Sequence, residues 1–343
     1  MPITGAQLAP YIGAVEAELR ALCQTDDSDL ADLFGMMGYH LGWLDEQFQP
    51  VRADTGKRLR SLFCLLTCEA ICGDWRPALR AATAVELIHN FSLVHDDIED
   101  ASETRRHRPT VWKLWGVAQG INIGDALYFL AHVALWRERK LPERTLSRVV
   151  RILDEAGFAL CQGQYLDLTF EERMDIAVPL YLKMIEGKTA ALIAASVQIG
   201  AVIGGATEAV AEAYRRFGLE IGLAFQMVDD LLGIWGDPAV TGKPAADDIL
   251  SRKKSLPIVY ALERGLGAPD QPIGRIYRQT QVSADDVGEV LRVLESIGAR
   301  EYVRAMADER RQKALDALDE TGLANPAQEM LRELALAAAD RAF

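Results

Sequence analysis

The sequence predicts an all-α protein folded as one large helical domain over residues 1–343, and three observations carry that prediction. Apolar residues recur at three- and four-residue spacing along most of the chain, the period of a helix with one buried face. Alternating runs of Val, Ile, Thr or aromatic residues are absent, and no Asn-Gly hairpin signal interrupts the pattern. Of the 13 prolines all but Pro10 fall outside the periodic stretches, as expected of residues that cannot continue a helix.

In chain order, the spacing predicts helices over Leu8–Leu22, Leu59–Ala70, Ala78–Ile98 and Ala126–Leu135. It predicts further helices over Val149–Leu168 and Arg216–Ile234, then Val287–Leu294, Tyr302–Leu318 and Met330–Leu336. Pro50, Pro77, Pro109, Pro142, Pro179, Pro238, Pro269 and Pro326 punctuate them. No Ser- or Gly-rich linker divides the chain. Thr189 through Thr207 carries no charge and imitates a membrane span in length. Its Ala, Gly and Ser content, with Gln198 in the middle, reads instead as a central core helix, so no transmembrane segment is expected.

Composition narrows the function. Half of the residues are hydrophobic and 25% are charged, an ordinary globular mix. The net charge of −13 argues against a nucleic-acid partner, which would need a basic face. Cys23, Cys64, Cys68, Cys72 and Cys161 form no CxxC pair and an odd count, so neither a disulfide framework nor a zinc ribbon is indicated. Cys64, Cys68 and Cys72 recur every four residues and read as small core residues. The N-terminus shows no basic region followed by an apolar core, which together with the thiols fits a cytoplasmic protein.

The densest chemistry is His95-Asp96-Asp97-Ile98-Glu99-Asp100 at the end of a helix. Asp96 and Asp100 are four apart and stack on one helical face, with Asp97 beside them. So many acids at helical spacing repel one another, so a cation is expected there. Oxygen-only ligands on an open face suit Mg²⁺, which keeps waters and is completed by substrate phosphates. Five residues on comes Arg105-Arg106-His107-Arg108, whose guanidinium groups match diphosphate oxygens. A second acidic pair, Asp229-Asp230, ends another apolar helix and is followed by Lys243, Arg252, Lys253 and Lys254. Two acidic helix ends, each followed by cations, suggest two facing walls of one cavity. A further basic patch, Gly56-Lys57-Arg58-Leu59-Arg60, places Lys57 and Arg60 three apart, and they are expected to share a helix face.

Together these residues resemble the all-trans isoprenyl diphosphate synthase (polyprenyl synthetase) family, over about Tyr39 to Leu262. Gly56–Arg60 resembles its GKxxR motif, and Asp96–Asp100 with Arg105-Arg106 its first aspartate-rich motif. Gln164-Tyr165-Leu166-Asp167-Leu168 and Gly187-Lys188-Thr189 resemble its GQxxDL and KT signatures. Phe225-Gln226-Met227-Val228-Asp229-Asp230 resembles the second aspartate-rich motif, followed by Gly242-Lys243-Pro244 and Lys253-Lys254-Ser255-Leu256-Pro257. The sequence departs from the family pattern at Gly233, where the second motif has its last Asp, and at Ser61, commonly Pro.

The resemblance implies an isoprenoid-synthase helical bundle around a deep central cavity, a homodimer, and head-to-tail prenyl transfer with Mg²⁺ as cofactor. Isopentenyl diphosphate and an allylic diphosphate (dimethylallyl, geranyl or farnesyl) are the substrates it implies. Carried over residue by residue, it assigns Asp96, Asp97, Asp100 and Asp229 to metal, with Asp230 acting through water. It assigns Arg105, Lys188 and Lys243, supported by Thr189, Gln226 and Lys253, to the allylic diphosphate. Lys57, Arg60, His89 and Arg106 would hold isopentenyl diphosphate, while His95 is read as structural. Phe91, five residues before Asp96, with the small Ser92 next to it, is expected to be the floor that limits the product to C20. C15 and C25 products remain alternatives, as does a terpene cyclase on the same fold.

Overall fold

The computed structural model describes residues 4–237 and 246–340, the latter without the side chains of 338–340. Among the described residues the chain is helical almost throughout. In chain order the helices are α1 (Gly5–Leu22), α2 (Ala31–His40), α3 (Leu59–Cys72), α4 (Leu79–Glu99), α5 (Val111–Trp115) and α6 (Val117–Trp136). They continue with α7 (Glu143–Phe170), α8 (Val178–Ile185), α9 (Ala191–Ile203) and α10 (Glu208–Trp235). Then come α11 (Asp247–Leu250), α12 (Leu256–Ala261), α13 (Pro272–Ile276), α14 (Ala284–Ser296), α15 (Ala299–Asp319) and α16 (Pro326–Asp340).

Every periodic stretch of the sequence falls on one of these helices. The ends differ: α6 begins at Val117 rather than Ala126, and α10 at Glu208 rather than Arg216, so apolar residues such as Ile123 and Tyr214 belong to helices that begin earlier than expected. Two departures are corrections. A two-residue-per-strand hairpin pairs Thr104 with Pro109 and Arg105 with Arg108, in a region with no strand signal. Strands this short cannot show alternation, and the turn is Arg106-His107, both at positive φ (51° and 62°), without the usual Asn or Gly. The second concerns Lys57 and Arg60. Helix α3 starts at Leu59 after a left-handed Arg58, so Lys57 lies in the preceding loop and shares no helix face with Arg60.

The residues form two compact units. The first comprises Met1–Asp154, Ser196–Ala211 and Leu323–Leu331, the second Glu155–Ala195, Glu212–Gly322 and Arg332–Phe343. In the first, Leu62, Phe63, Leu65 and Leu66 of α3 and Leu87 and Ile88 of α4 are almost wholly buried. Each such side chain contributes about 1.5–3 kcal/mol of hydrophobic stabilisation. The C-terminal part of α9 lies on α3 through small residues. A Cβ on Gly200 would sit 2.2 Å from the Cys64 carbonyl oxygen, so only glycine allows that approach. Cys64 and Cys68 are buried as expected, while Cys72 reaches the surface at the end of α3. In the second unit, Phe170, Tyr181, Met184, Met227, Leu256 and Val303 form one core cluster. Ile258, Ile273, Val290 and Leu294 anchor another.

The charge-free stretch contributes α9, thirteen residues that are mostly buried. At 1.5 Å per residue it is about 20 Å long, well short of the ~30 Å of a bilayer core. No helix among the described residues is long and apolar enough to cross a membrane.

Candidate active site

The first unit gathers the acids of α4 and the guanidinium groups around them. Helix α4 ends at Glu99, with Asp100 as its cap, and the chain turns through Ala101 at a positive φ of 50°. That turn returns the backbone to Asp97, whose carbonyl accepts from the Ser102 amide at 2.8 Å. The hairpin that follows swings Arg105 back over the helix end. Its Nε donates to Asp97 Oδ1 at 2.7 Å, and its Nη2 lies 3.5 Å from Asp96 Oδ2.

The three acids are therefore not equivalent. Asp97 is only 2% exposed, and burial pushes its carboxyl up to about 6, with Arg105 opposing the shift. Asp96 is half-buried and Asp100 exposed. Asp96 and Asp100 thus form the outward pair, while Asp97 is turned onto Arg105.

His89 lies two helical turns before Asp96 on α4, and the charges that act on it most are those of Arg60, Arg106, Arg105 and Arg58. Arg60 Nη1 lies 3.2 Å from His89 Nε2. Guanidinium can only donate, so Nε2 accepts and the imidazole proton sits on Nδ1. Burial, reinforced by Arg60, Arg106, Arg105 and Arg58, holds His89 well below the usual histidine range. Burial likewise lowers Arg60, to about 10, and Arg106. A Cβ on Gly56 would lie 2.7 Å from Arg106 Nη2, so the glycine of the basic patch makes room for this guanidinium. Lys57 is exposed at the edge of the same group.

Sequence reasoning missed two parts of this cluster. Arg58, the middle residue of the motif, is 2% exposed and pairs with Glu86 at 2.9 Å and Glu16 at 2.7 Å. Ser61 Oγ donates to the same Glu86 at 2.7 Å, which gives the residue at the family's proline position a definite task. His40, at the end of α2, is pushed down to about 3 by burial and by Arg106, Arg105 and Arg58. Neither could be found from spacing, because the partners lie far off in sequence: Glu16 and Glu86 for Arg58, and Arg58, Arg105 and Arg106 for His40.

Phe91 packs edge-on against His95 and Tyr128, with centroids 5.2 and 5.4 Å apart. Ser92 Oγ donates to the His89 carbonyl at 2.8 Å. His95 sits against Gly124 of α6, where a Cβ would be 2.1 Å from its Nε2, consistent with a structural part.

In the second unit Lys188 and Thr189 lie in a π-helical turn, Glu186–Ala190, between α8 and α9. Such widened turns are frequent at functional sites. The turn is pressed on α7: a Cβ on Gly163 would be 2.1 Å from the Lys188 nitrogen, and one on Gly187 2.6 Å from the Ala159 carbonyl oxygen. Lys188 Nζ reaches Asp167 Oδ2 at 2.5 Å. Thr189 Oγ1 donates to Gln226 Oε1 at 2.9 Å, and Gln226 Nε2 donates to Asp230 Oδ1 at 3.2 Å.

The pair Asp229-Asp230 divides like the first motif. Asp229 is half-buried, whereas Asp230 is fully buried, accepting from the Tyr181 hydroxyl and, at 3.0 Å, from the Leu256 amide. Burial raises Asp230 to about 7. It is enclosed by protein donors rather than placed to act through water. Burial alone would depress Lys253, but Asp248, Asp230, Asp229 and Asp167 outweigh it and hold the ammonium charged. The absent carboxylate at Gly233 also has a structural counterpart. A Cβ there would lie 2.3 Å from Asp248 Oδ2, so the Asp248 carboxylate fills the space a side chain would need. Lys243 lies outside the described residues.

Whether these donors suit Mg²⁺ can be tested on their chemistry. Among the described residues no three His, Cys, Asp or Glu side chains converge as a ready-made metal cage. Mg²⁺ asks for less, one or two carboxylates with the remaining positions left to water and phosphate. Asp96 with Asp100, and Asp229, are of that kind.

Comparison with known proteins identifies the family. The profile of the polyprenyl synthetase family matches residues 42–294. A protein named (2E,6E)-farnesyl diphosphate synthase from Mycobacterium tuberculosis (strain ATCC 25618 / H37Rv) is 41% identical over 309 residues, covering 89% of this chain and 85% of its own. A geranylgeranyl diphosphate synthase of the same organism is 38% identical over 323 residues, covering 90% and 92%. The crystal structure of a polyprenyl synthetase from Streptomyces coelicolor A3(2) superposes with a TM-score of 0.89 at 36% identity, covering 97% of this chain and 98% of that one. The match extends over the motifs of both units, and the chain belongs to the polyprenyl synthetase family.

Proposed function

We propose that this protein is a Mg²⁺-dependent trans-prenyltransferase that condenses isopentenyl diphosphate head-to-tail with an allylic diphosphate and ends mainly at C20. The observation that carries the reading is the cluster of Arg60, Arg105 and Arg106 around a neutral His89, on the helix that bears Asp96 and Asp100, while Arg58 beside them is already answered by Glu86 and Glu16. So much cationic charge in a protein of net charge −13 calls for a polyanion, and a diphosphate matches it.

Asp96 and Asp100 on α4, with Asp97 as the buried brace of Arg105, and Asp229 on α10 would hold Mg²⁺. When bound, the ion supplies charge neutralisation to the departing diphosphate. The chain's own groups do the rest. Arg105, Lys188 and Lys253 hold the allylic diphosphate, and Thr189 and Gln226 fix the neighbouring geometry; Lys243 joins them on the strength of the motif. These donors act where charge grows on the leaving group, so they favour the transition state over the ground state. Lys57, Arg60, His89 and Arg106 hold isopentenyl diphosphate. His89, kept neutral by burial and the arginines around it, contributes a donor at Nδ1. No side chain is assigned as general base, since released diphosphate can take the proton.

Phe91 lies about 7.5 Å from Asp96 along α4 at the standard rise, braced by Tyr128 and His95. A braced aromatic there supports a floor for a C20 tail, with C15 or C25 as the alternatives. A cytoplasmic homodimer acting through one catalytic domain is part of the same reading. It is supported by the exposed apolar row Val117, Ile121, Phe129, Val133 and Trp136 along α6.

The test is a product assay by mass spectrometry, with isopentenyl diphosphate and each of dimethylallyl, geranyl and farnesyl diphosphate, in Mg²⁺ or in EDTA. Mg²⁺-dependent elongation to C20 is expected, and Asp96→Asn should lower it by orders of magnitude while circular dichroism stays unchanged. A hydrocarbon released from an allylic diphosphate alone would make the protein a cyclase and overturn the reading.

A further inference from the structure

Helix α10 has two chemically different faces. Gln226, Asp229, Asp230 and Gly233 share one. Val228, Leu231, Leu232 and Trp235, at i, i+3, i+4 and i+7, share the other. This second face forms one wall of a cavity of about 340 Å³ in the second unit. The opposite wall comes from α15 and is basic, with Arg300, Arg304 and Arg311 beside a single acid, Asp308.

The charges do not cancel. Arg311 pairs with Asp308 at 2.9 Å, while Arg300 and Arg304 are exposed and make no ion pair among the described residues. Arg300 lies over the Trp235 ring, 5.7 Å from its centroid. The indole Nε1 of Trp235 is buried and has no hydrogen-bond partner among the described residues, a state that costs about 1–3 kcal/mol if nothing answers it. Two guanidinium groups without an ion pair among the described residues, facing an apolar stripe that ends in Trp235 with its unanswered N–H, are a binding site in composition. The volume suits a head group with a short tail, at the small end of ligand pockets.

We infer that the groove between α10 and α15 binds a small amphipathic phosphate or diphosphate, the head group on Arg300 and Arg304 and the tail along Val228, Leu231 and Trp235. Its place behind Asp229 means that an occupant touches the helix that carries the second aspartate motif. Naming the natural occupant as a prenyl diphosphate rests on the activity proposed above; the binding itself does not.

The full-length protein labelled with 5-fluorotryptophan, held in EDTA, can be followed by ¹⁹F NMR, with the Trp235 resonance assigned through Trp235→Phe. Dodecyl phosphate below its micellar concentration is the probe. A saturable shift of the Trp235 resonance is expected, weakened at least tenfold in the Arg300→Glu/Arg304→Glu double variant. That variant should keep its circular dichroism and its prenyl transfer in the absence of the probe. Inorganic diphosphate alone should bind at least tenfold more weakly than dodecyl phosphate. No saturable shift, or an equal shift in the double variant, overturns the site. Equal binding of inorganic diphosphate overturns its amphipathic character. If dodecyl phosphate binds and farnesyl diphosphate does not, the prenyl assignment falls and the site stands.

Discussion

Gly163 sets how closely α7 meets the turn that carries Lys188, and replacing it with Ala measures that approach. The new Cβ would lie 2.1 Å from the Lys188 nitrogen and 2.7 Å from the Met184 carbonyl oxygen. Cβ contacts essentially never fall below 3.0 Å, so the π-helical turn must retreat by about 1 Å, and backbone atoms cannot step aside as a side-chain tip can. Overpacking of this kind costs about 3 kcal/mol at the upper end of its usual range. Alanine returns about 0.8–1 kcal/mol through its better helix propensity, leaving a net loss of about 2 kcal/mol. At ~2.1 cal/mol/K per residue, a chain of 343 residues should then melt roughly 3 °C lower. Turnover should fall by more, about 100-fold, because a 1 Å shift of positioning groups is enough to lose that much. Gly157 in the same helix is the control: nothing lies within 4 Å of a Cβ there, so Gly157→Ala should stabilise by up to about 1 kcal/mol. The assay is thermal unfolding beside steady-state prenyl transfer for both variants. If Gly163→Ala matched Gly157→Ala in stability and turned over like the parent, the close approach would have no part in placing Lys188.

Other consequences follow from the charged cluster. Arg58→Met leaves Glu86 buried without its cation, and urea denaturation should register a loss of about 3–5 kcal/mol; a loss below 1 would mean the pair is not buried in solution. His40 and His89 have folded pKa values held below the unfolded value near 6.5, so the unfolded chain takes up protons first. Their stabilising effect is complete above pH 6.5 and declines as the pH drops, toward about 3 for His40. Urea midpoints between pH 7.5 and 5 should therefore fall less steeply for His40→Gln than for the parent, and identical slopes would refute the assignment. Arg106→Ala should raise the KM for isopentenyl diphosphate more than that for the allylic partner in initial-rate kinetics; the reverse order would exchange the two subsites. Phe91→Ala should shift the product spectrum beyond C20 by mass spectrometry, and an unchanged spectrum would move the floor elsewhere.

The helices were legible because their signal is local. Three- and four-residue spacing reports which face of a segment is buried, and it located α3, α4, α7 and α10 with errors only at the ends. The acids and most of the cations of the site were legible for the same reason, since they cluster in short motifs. What spacing could not carry is the division of labour inside each motif. Asp96 and Asp97 are neighbours in sequence, yet one faces outward and the other is buried on Arg105, because the Arg106-His107 turn folds the hairpin back over the helix. The same holds for Asp229 and Asp230, separated by 100° on α10 so that the second meets Tyr181 and the Leu256 amide. Gly233 is the sharpest case. Read along the sequence it is a motif with its last carboxylate lost. In space, Asp248 lies against the glycine and is the acid that most strongly holds the charge of Lys253. A local pattern counts carboxylates by position in the chain, whereas Lys253 responds only to their distance. The deficit at Gly233 therefore need not be a deficit of negative charge at the site.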